Sequence, residues 1–189
     1  MAIKIYIDQG HNPRDYNTGA EGGGYFEQDI TYRIGILLNR LFEGNPSFET
    51  VLSRPNAETV LGVSNNTSLQ VRVRQANEFG ADLFLSLHTN ASVNTSANGS
   101  ECLIYSTSST VAYEVSEDIL SEMTLITGLR NRGIVERPGL YVLRRTQMPA
   151  VVVEMGFITN PSDRELLVNS PNLFASGIYR GVLKYYGLR

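Results

Sequence analysis

The chain has a single cysteine, two histidines, no excess of charge of either sign and no apolar run of membrane-spanning length. One cysteine excludes an internal disulfide. Cys102, set in the apolar-leaning run Glu101-Cys-Leu-Ile-Tyr105, reads as a buried, inert thiol rather than a nucleophile. With 16 Lys and Arg against 19 Asp and Glu, the formal net charge is -3. There is thus no broad basic field to gather nucleic acid and no basic amphipathic segment to hold a membrane surface, and neither is an expected partner. The first residues, Met-Ala-Ile-Lys-Ile-Tyr-Ile-Asp, lack the basic end and long apolar stretch of a secretion signal and read as a strand. With no internal repeat and no linker, residues 1–189 read as one domain, for which a monomer suffices.

What is present is an ordinary globular composition, 42% hydrophobic and 19% charged, laid out in alternating strand and helix patterns. Three short apolar runs, at residues 3–7, 81–87 and 150–153, have the length and branched composition of strands buried on both faces. Residues 48–52 and 102–105 predict further strands, and residues 141–143 a short one. Ile30, Ile34, Leu37, Leu38 and Leu41 recur at helical spacing, as do Leu69, Val73, Ala76 and Phe79, and Val111, Val115, Ile119 and Met123. Residues 161–167 predict a short helix and residues 171–186 a last one, with Leu173, Ile178, Val182 and Tyr185 facing inward. The expected fold is α/β: a mostly parallel twisted sheet of about six strands with helices on both faces. Residues 12–24 and 92–100 are turn-rich and predict loops on the edge where such sheets bind ligands.

The chemistry is concentrated where the central strands end. Asp8-Gln-Gly-His11 follows the first run, His88 the second and Glu154 the third; parallel strands deliver all three to one edge. Two imidazoles need one further protein ligand to hold a catalytic zinc whose fourth position stays open. Glu27, opening the helix after the first loop, is the preferred third ligand, with Glu21 in the same loop as its competitor. Each residue also has a plain structural reading. A lone histidine after a strand is more often a structural group than a ligand, Glu27 suits the positive end of a helix dipole, and Asp8 serves as a hydrogen-bonding partner in the turn. Arg72 and Arg74 read as a solvated helix face, or as partners of acidic neighbours. Glu154 is different, because a carboxylate directly after the apolar run Pro149-Ala-Val-Val-Val153 is costly to bury without a partner.

These segments, taken together, resemble the zinc N-acetylmuramoyl-L-alanine amidases of the Amidase_3 type, which include autolysins, sporulation hydrolases and phage endolysins. The similarity spans nearly the whole chain. It is carried by Ile7-Asp-Gln-Gly-His11, by Glu27, by Ala81-Asp-Leu-Phe-Leu-Ser-Leu-His-Thr-Asn-Ala91, and by Leu140-Tyr-Val-Leu-Arg144 running into Pro149-Ala-Val-Val-Val-Glu-Met-Gly-Phe-Ile-Thr-Asn160. The resemblance implies His11, Glu27 and His88 as zinc ligands, deciding for Glu27 over Glu21, and Glu154 as the catalytic glutamate. Two departures stand out: His11-Asn12-Pro13 where the family has His-Gly-Gly, and Thr31 where an asparagine is usual. The stretch from Asn90 to Glu101 leaves no room for the inhibitory helix some members carry, so an open groove is expected.

The resemblance implies hydrolysis of the amide between the lactyl group of N-acetylmuramic acid and the first alanine of the stem peptide. Its partner is peptidoglycan, its cofactor one zinc ion, and its place of action the bacterial cell wall. Asn90, two residues beyond His88, either donates to the substrate peptide or holds its loop. The competing readings are another zinc hydrolase acting on a different amide, a wall-binding module without activity, and a structural zinc domain, which normally closes its site with four protein ligands.

Overall fold

The computed structural model describes residues 2–188. In chain order the elements are β1 (Ile3–Gln9), β2 (Glu21–Gly22), β3 (Tyr25–Phe26), α1 (Glu27–Glu43), β4 (Phe48–Leu52), α2 (Asn65–Phe79), β5 (Leu83–Asn90), β6 (Ser100–Ile104), α3 (Thr110–Thr127), β7 (Asn131–Glu136), α4 (Tyr141–Arg145), β8 (Ala150–Phe157), α5 (Pro161–Asn169) and α6 (Pro171–Tyr185). Six strands form one sheet in the order β4-β1-β5-β8-β6-β7. β4, β1, β5 and β8 are mutually parallel, β6 runs antiparallel to β8, and β7 is parallel to β6. This is the expected single α/β domain.

The continuous apolar runs are explained by two cores, one on each face of the sheet. Successive side chains point to opposite faces. Ile5 and Ile7, Leu83, Leu85 and Leu87, and Val151 and Val153 therefore pack with α1, α3 and α6 on one side. Tyr6, Phe84 and Val152 pack with Val73 and Ala76 of α2 and Val142 and Leu143 of α4 on the other. Tyr6 and Phe84 stack with ring centroids 5.4 Å apart. A strand with two buried faces has few solvent-facing positions for polar residues, which is why its sequence reads as a largely apolar run instead of an alternation.

Four expectations are corrected. Residues 141–143 form the start of helix α4, not a strand: their neighbouring apolar residues Val142 and Leu143 are both buried against the α2 side of the sheet, and so short a run carries no period to separate the two states. The sixth strand is instead β7, Asn131-Arg-Gly-Ile-Val-Glu136, a half-exposed edge strand whose sequence has no apolar run. The loop at residues 12–24 includes β2, which pairs with β3 as a small antiparallel hairpin. Finally, β5 and β8 extend past His88 and Glu154, to Asn90 and Phe157, so these residues lie within the strands rather than beyond them.

Of the two readings of Arg72, the solvated helix face fails and the acidic partner holds, with consequences for the site. Arg72 is buried, 1% exposed, and forms an ion pair with Asp8, whereas Arg74 is exposed and lies 3.9 Å from Glu78 one turn along α2, as expected. A helix interior position facing the sheet and a solvent-facing one differ here by two residues, and both hold arginine.

Candidate metal centre and active site

Because β1, β5 and β8 are parallel neighbours, their carboxyl-terminal ends share one edge of the sheet, where His11, His88 and Glu154 all lie. His88 and Glu154 are direct cross-strand partners. His11 follows β1 by two residues and has φ of 69°, a left-handed conformation that costs a residue with a Cβ about 1–3 kcal/mol. That turn swings its ring back beside the ring of His88, with centroids 4.8 Å apart and the planes nearly perpendicular at 79°. Gly10 makes the approach possible. A Cβ there would stand 2.5 Å from the Leu87 carbonyl oxygen and 2.6 Å from His88 Cε1.

Glu27, the first residue of α1, reaches between the two imidazoles. Its Oε2 lies 3.2 Å from His11 Nε2 and its Oε1 3.0 Å from His88 Nδ1. The same carboxylate accepts hydrogen bonds from the backbone N–H groups of Ala20 and Thr89, each at 2.9 Å. Burial alone would raise its pKa, but the hydrogen bonds to His11 and His88 and their charge hold it far below the usual carboxylate range. His11 Nδ1 in turn lies 3.1 Å from the Asn17 carbonyl, which orients the ring. One donor atom from each of His11, Glu27 and His88 falls within 4.8 Å of the others, so the three can share a metal ion. Glu21 takes no part: it is exposed and paired with Phe26 in the hairpin.

Glu154 flanks this cluster without joining it. Burial pushes its carboxyl up from 4.5 to about 7; His88 opposes the rise, while Glu27 and Glu101 add to it. Its Oε2 is buried with no hydrogen-bond partner. Beside it lies a cavity of about 240 Å³, whose lining includes Leu69, Leu103, Val142 and Val152 together with Asp8, His11, Arg72, His88 and Glu154.

Asn90 is the last residue of β5, and its side chain donates to Glu101 Oε1 at 2.8 Å while accepting from the Ala91 N–H. Residues 91–99, between β5 and β6, contain no helix. Asn12 is buried and bonded in both directions to the Leu61 backbone, which pins the first loop to the segment leading into α2. Thr31 donates to the Gly10 carbonyl at 2.8 Å, bracing the turn that carries His11. Cys102 is buried and its thiol is pushed well up by that burial.

Sequence reasoning overlooked Gly10, Gly19 and Arg54. A Cβ at Gly19 would stand 2.7 Å from Glu27 Cβ and 2.9 Å from His11 Cδ2, and Arg54 is buried against the same loop. Their only signal in the sequence is position, since a glycine in a turn-rich stretch and an arginine after a strand are commonplace.

A family model described as N-acetylmuramoyl-L-alanine amidase matches residues 5–184. The chain is 37% identical over 188 residues to N-acetylmuramoyl-L-alanine amidase LytC of Bacillus subtilis (strain 168), covering 96% of this chain and 35% of that protein. It is 35% identical over 180 residues to N-acetylmuramoyl-L-alanine amidase CwlM of Bacillus licheniformis, covering 95% of this chain and 65% of that protein. Both relatives are therefore longer than the segment they share with it. The crystal structure of N-acetylmuramoyl-L-alanine amidase from Clostridium difficile 630 superposes with a TM-score of 0.88 at 30% identity, covering 98% of this chain and 97% of that one. The catalytic domain of CwlV from Bacillus (Paenibacillus) polymyxa var. colistinus gives 0.86 at 28% identity, covering 99% of each.

Proposed function

The chain belongs to the N-acetylmuramoyl-L-alanine amidase family, and on that premise we propose that it is a zinc-dependent peptidoglycan hydrolase. Its substrate is the amide joining the lactyl group of N-acetylmuramic acid to the first alanine of the stem peptide, and its place of action is the bacterial cell wall. The observation that carries the reading is the convergence of His11, Glu27 and His88 next to Glu154, whose buried Oε2 has no partner.

The donor set fits zinc: His11, His88 and Glu27 would supply the two imidazoles and one carboxylate of a catalytic site that keeps a position open. When bound there, zinc lowers the pKa of a coordinated water towards about 7 and polarises an amide carbonyl. Glu154 supplies the proton traffic. Its carboxylate accepts the proton of the attacking water and delivers it to the departing alanine nitrogen, completing cleavage of the C–N bond. A pKa near the operating pH suits a group that must first take a proton and then give it up. The unpartnered oxygen is the one free to receive the water's hydrogen. The apolar side chains lining the adjoining cavity, Leu69, Leu103, Val142 and Val152, lower the local dielectric and so strengthen each of these interactions.

The chain works as a monomer in this reading, because every group invoked comes from one copy of the chain. The test is purified protein on peptidoglycan, with and without a zinc chelator, with released amino ends read by mass spectrometry. New alanine amino ends that vanish with chelator, return with zinc and are missing for Glu154→Gln support the proposal. Intact wall in the presence of zinc-loaded protein points to a different amide as substrate. Binding to wall without cleavage, whatever the metal content, points to a wall-binding module.

A further inference from the structure

We infer that Arg72 and Arg54 are positioning residues of the metal centre, holding the backbone that carries its ligands; the inference rests on the zinc amidase reading. Both are 1% exposed, and neither touches the cluster of donor atoms directly. What they share is one acceptor. Arg72 donates from one terminal nitrogen to the His11 carbonyl at 2.7 Å, and Arg54 reaches the same carbonyl at 3.4 Å. His11 is the residue held in the left-handed region. A carbonyl oxygen has two lone pairs, and here both are met by guanidinium groups, which fixes the plane of the peptide that follows His11 and with it the direction of the ring.

The same two side chains extend the restraint to the other ligands. The Arg54 nitrogen that reaches His11 also donates at 2.9 Å to the carbonyl of Gln28, the neighbour of Glu27, and its other terminal nitrogen is anchored on the Ala57 carbonyl at 3.0 Å. Arg72 donates to the Gln9 carbonyl at 2.7 Å and pairs with Asp8. The second oxygen of Asp8 accepts from Ser86 at 2.7 Å, two residues before His88 on β5. His11, the neighbour of Glu27 and the strand that carries His88 are thereby tied into one buried network, of which Asp8 and Arg72 also line the cavity.

A role in fold stability alone leaves this arrangement unaccounted for. Two like charges converge on one carbonyl, and among the described residues only Arg72 of the two forms an ion pair with a carboxylate. The convergence of two buried guanidinium groups on the carbonyl of a ligand held in a left-handed turn is what ligand positioning requires.

The test uses metal-free full-length protein and reads zinc affinity by competition with a chromophoric chelator, together with the visible absorption of the cobalt(II)-loaded protein. Variants are Arg72→Gln, Arg54→Gln and the double Asp8→Asn/Arg72→Gln, each first shown to be folded by far-ultraviolet circular dichroism. Loss of a positioning group weakens metal binding by about 10- to 100-fold and alters the cobalt bands. The double variant removes the buried charge pair as a unit, yet leaves the His11 carbonyl without the shorter of its two guanidinium bonds, so it remains as weak as Arg72→Gln. Affinities for both single variants within threefold of the parent chain, or recovery of parent affinity in the double, overturn the inference. If Arg72→Gln does not fold, Arg54→Gln and the double decide by the same criteria. Parent protein that binds zinc but releases no alanine ends overturns the amidase reading and leaves positioning to be judged on metal affinity. Parent protein that takes up no zinc overturns both.

Discussion

Glu154 stands directly opposite His88 across the β5–β8 pair, and it has a buried carboxylate oxygen with no hydrogen-bond partner. The juxtaposition joins a candidate ligand and a candidate proton carrier through the register of two parallel strands. Strand register is set by packing on both faces of the sheet, so the spacing between the two groups is as rigid as the core beneath them.

That burial has a signature in the stability of the metal-free protein. Glu154 is raised from 4.5 to about 7, so between these values the folded state binds the proton that the unfolded state has released. Stability therefore falls as pH rises through this window and is lowest above pH 7. Glu154→Gln removes the penalty. Urea unfolding of the metal-free proteins should show the variant more stable at pH 8 by up to about 3 kcal/mol, with the difference closing below pH 4.5. Equal stabilities at pH 8 would show that the carboxylate is solvated.

On peptidoglycan the same variant should be slower by about two to four orders of magnitude while retaining its metal, because Glu154 lies outside the donor cluster. Elemental analysis alongside the rate checks both halves. His88→Ala, by contrast, should lose the zinc itself, leaving Glu27 and His11 too few to retain it.

Gly10→Ala should damage the site without touching any functional atom. The added methyl carbon would stand 2.5 Å from a backbone oxygen, which cannot move as a side-chain tip can, and 2.6 Å from the His88 ring. A loss of about 1–3 kcal/mol in denaturant unfolding is expected, with weaker zinc binding. Unchanged unfolding and zinc affinity would mean that the β1 turn yields.

Ser64 caps α2 by accepting from the Thr67 N–H at 3.1 Å. Ser64→Ala should destabilise the fold by about 1 kcal/mol, measurable in chemical denaturation. Arg74→Ala, ten residues along on the exposed face, should change stability by less than about 0.5 kcal/mol.

Much of the fold was legible because burial leaves a mark on composition. The central strands are predominantly apolar along their buried stretches, and α1 repeats its buried residues at Ile30, Ile34 and Leu38. The edge strand β7 was not legible, since Asn131-Arg-Gly-Ile-Val-Glu136 has only one covered flank and alternates no more clearly than a loop. Helix α4, at five residues, is shorter than the window in which a helical period shows.

The sequence by itself determined the alternation of strand and helix, the apolar runs and the placing of both histidines and Glu154 near the ends of those runs, because local pattern and burial are written residue by residue. Only the tertiary structure decided how Glu27 reaches between the histidines, that His11 turns back through a left-handed conformation, and that Arg72 is buried beneath the site while Arg74 meets water. Those outcomes depend on contacts between residues far apart in the chain, such as Arg72 with Asp8 and the His11 carbonyl. No local pattern records which of two similar side chains will find such a partner.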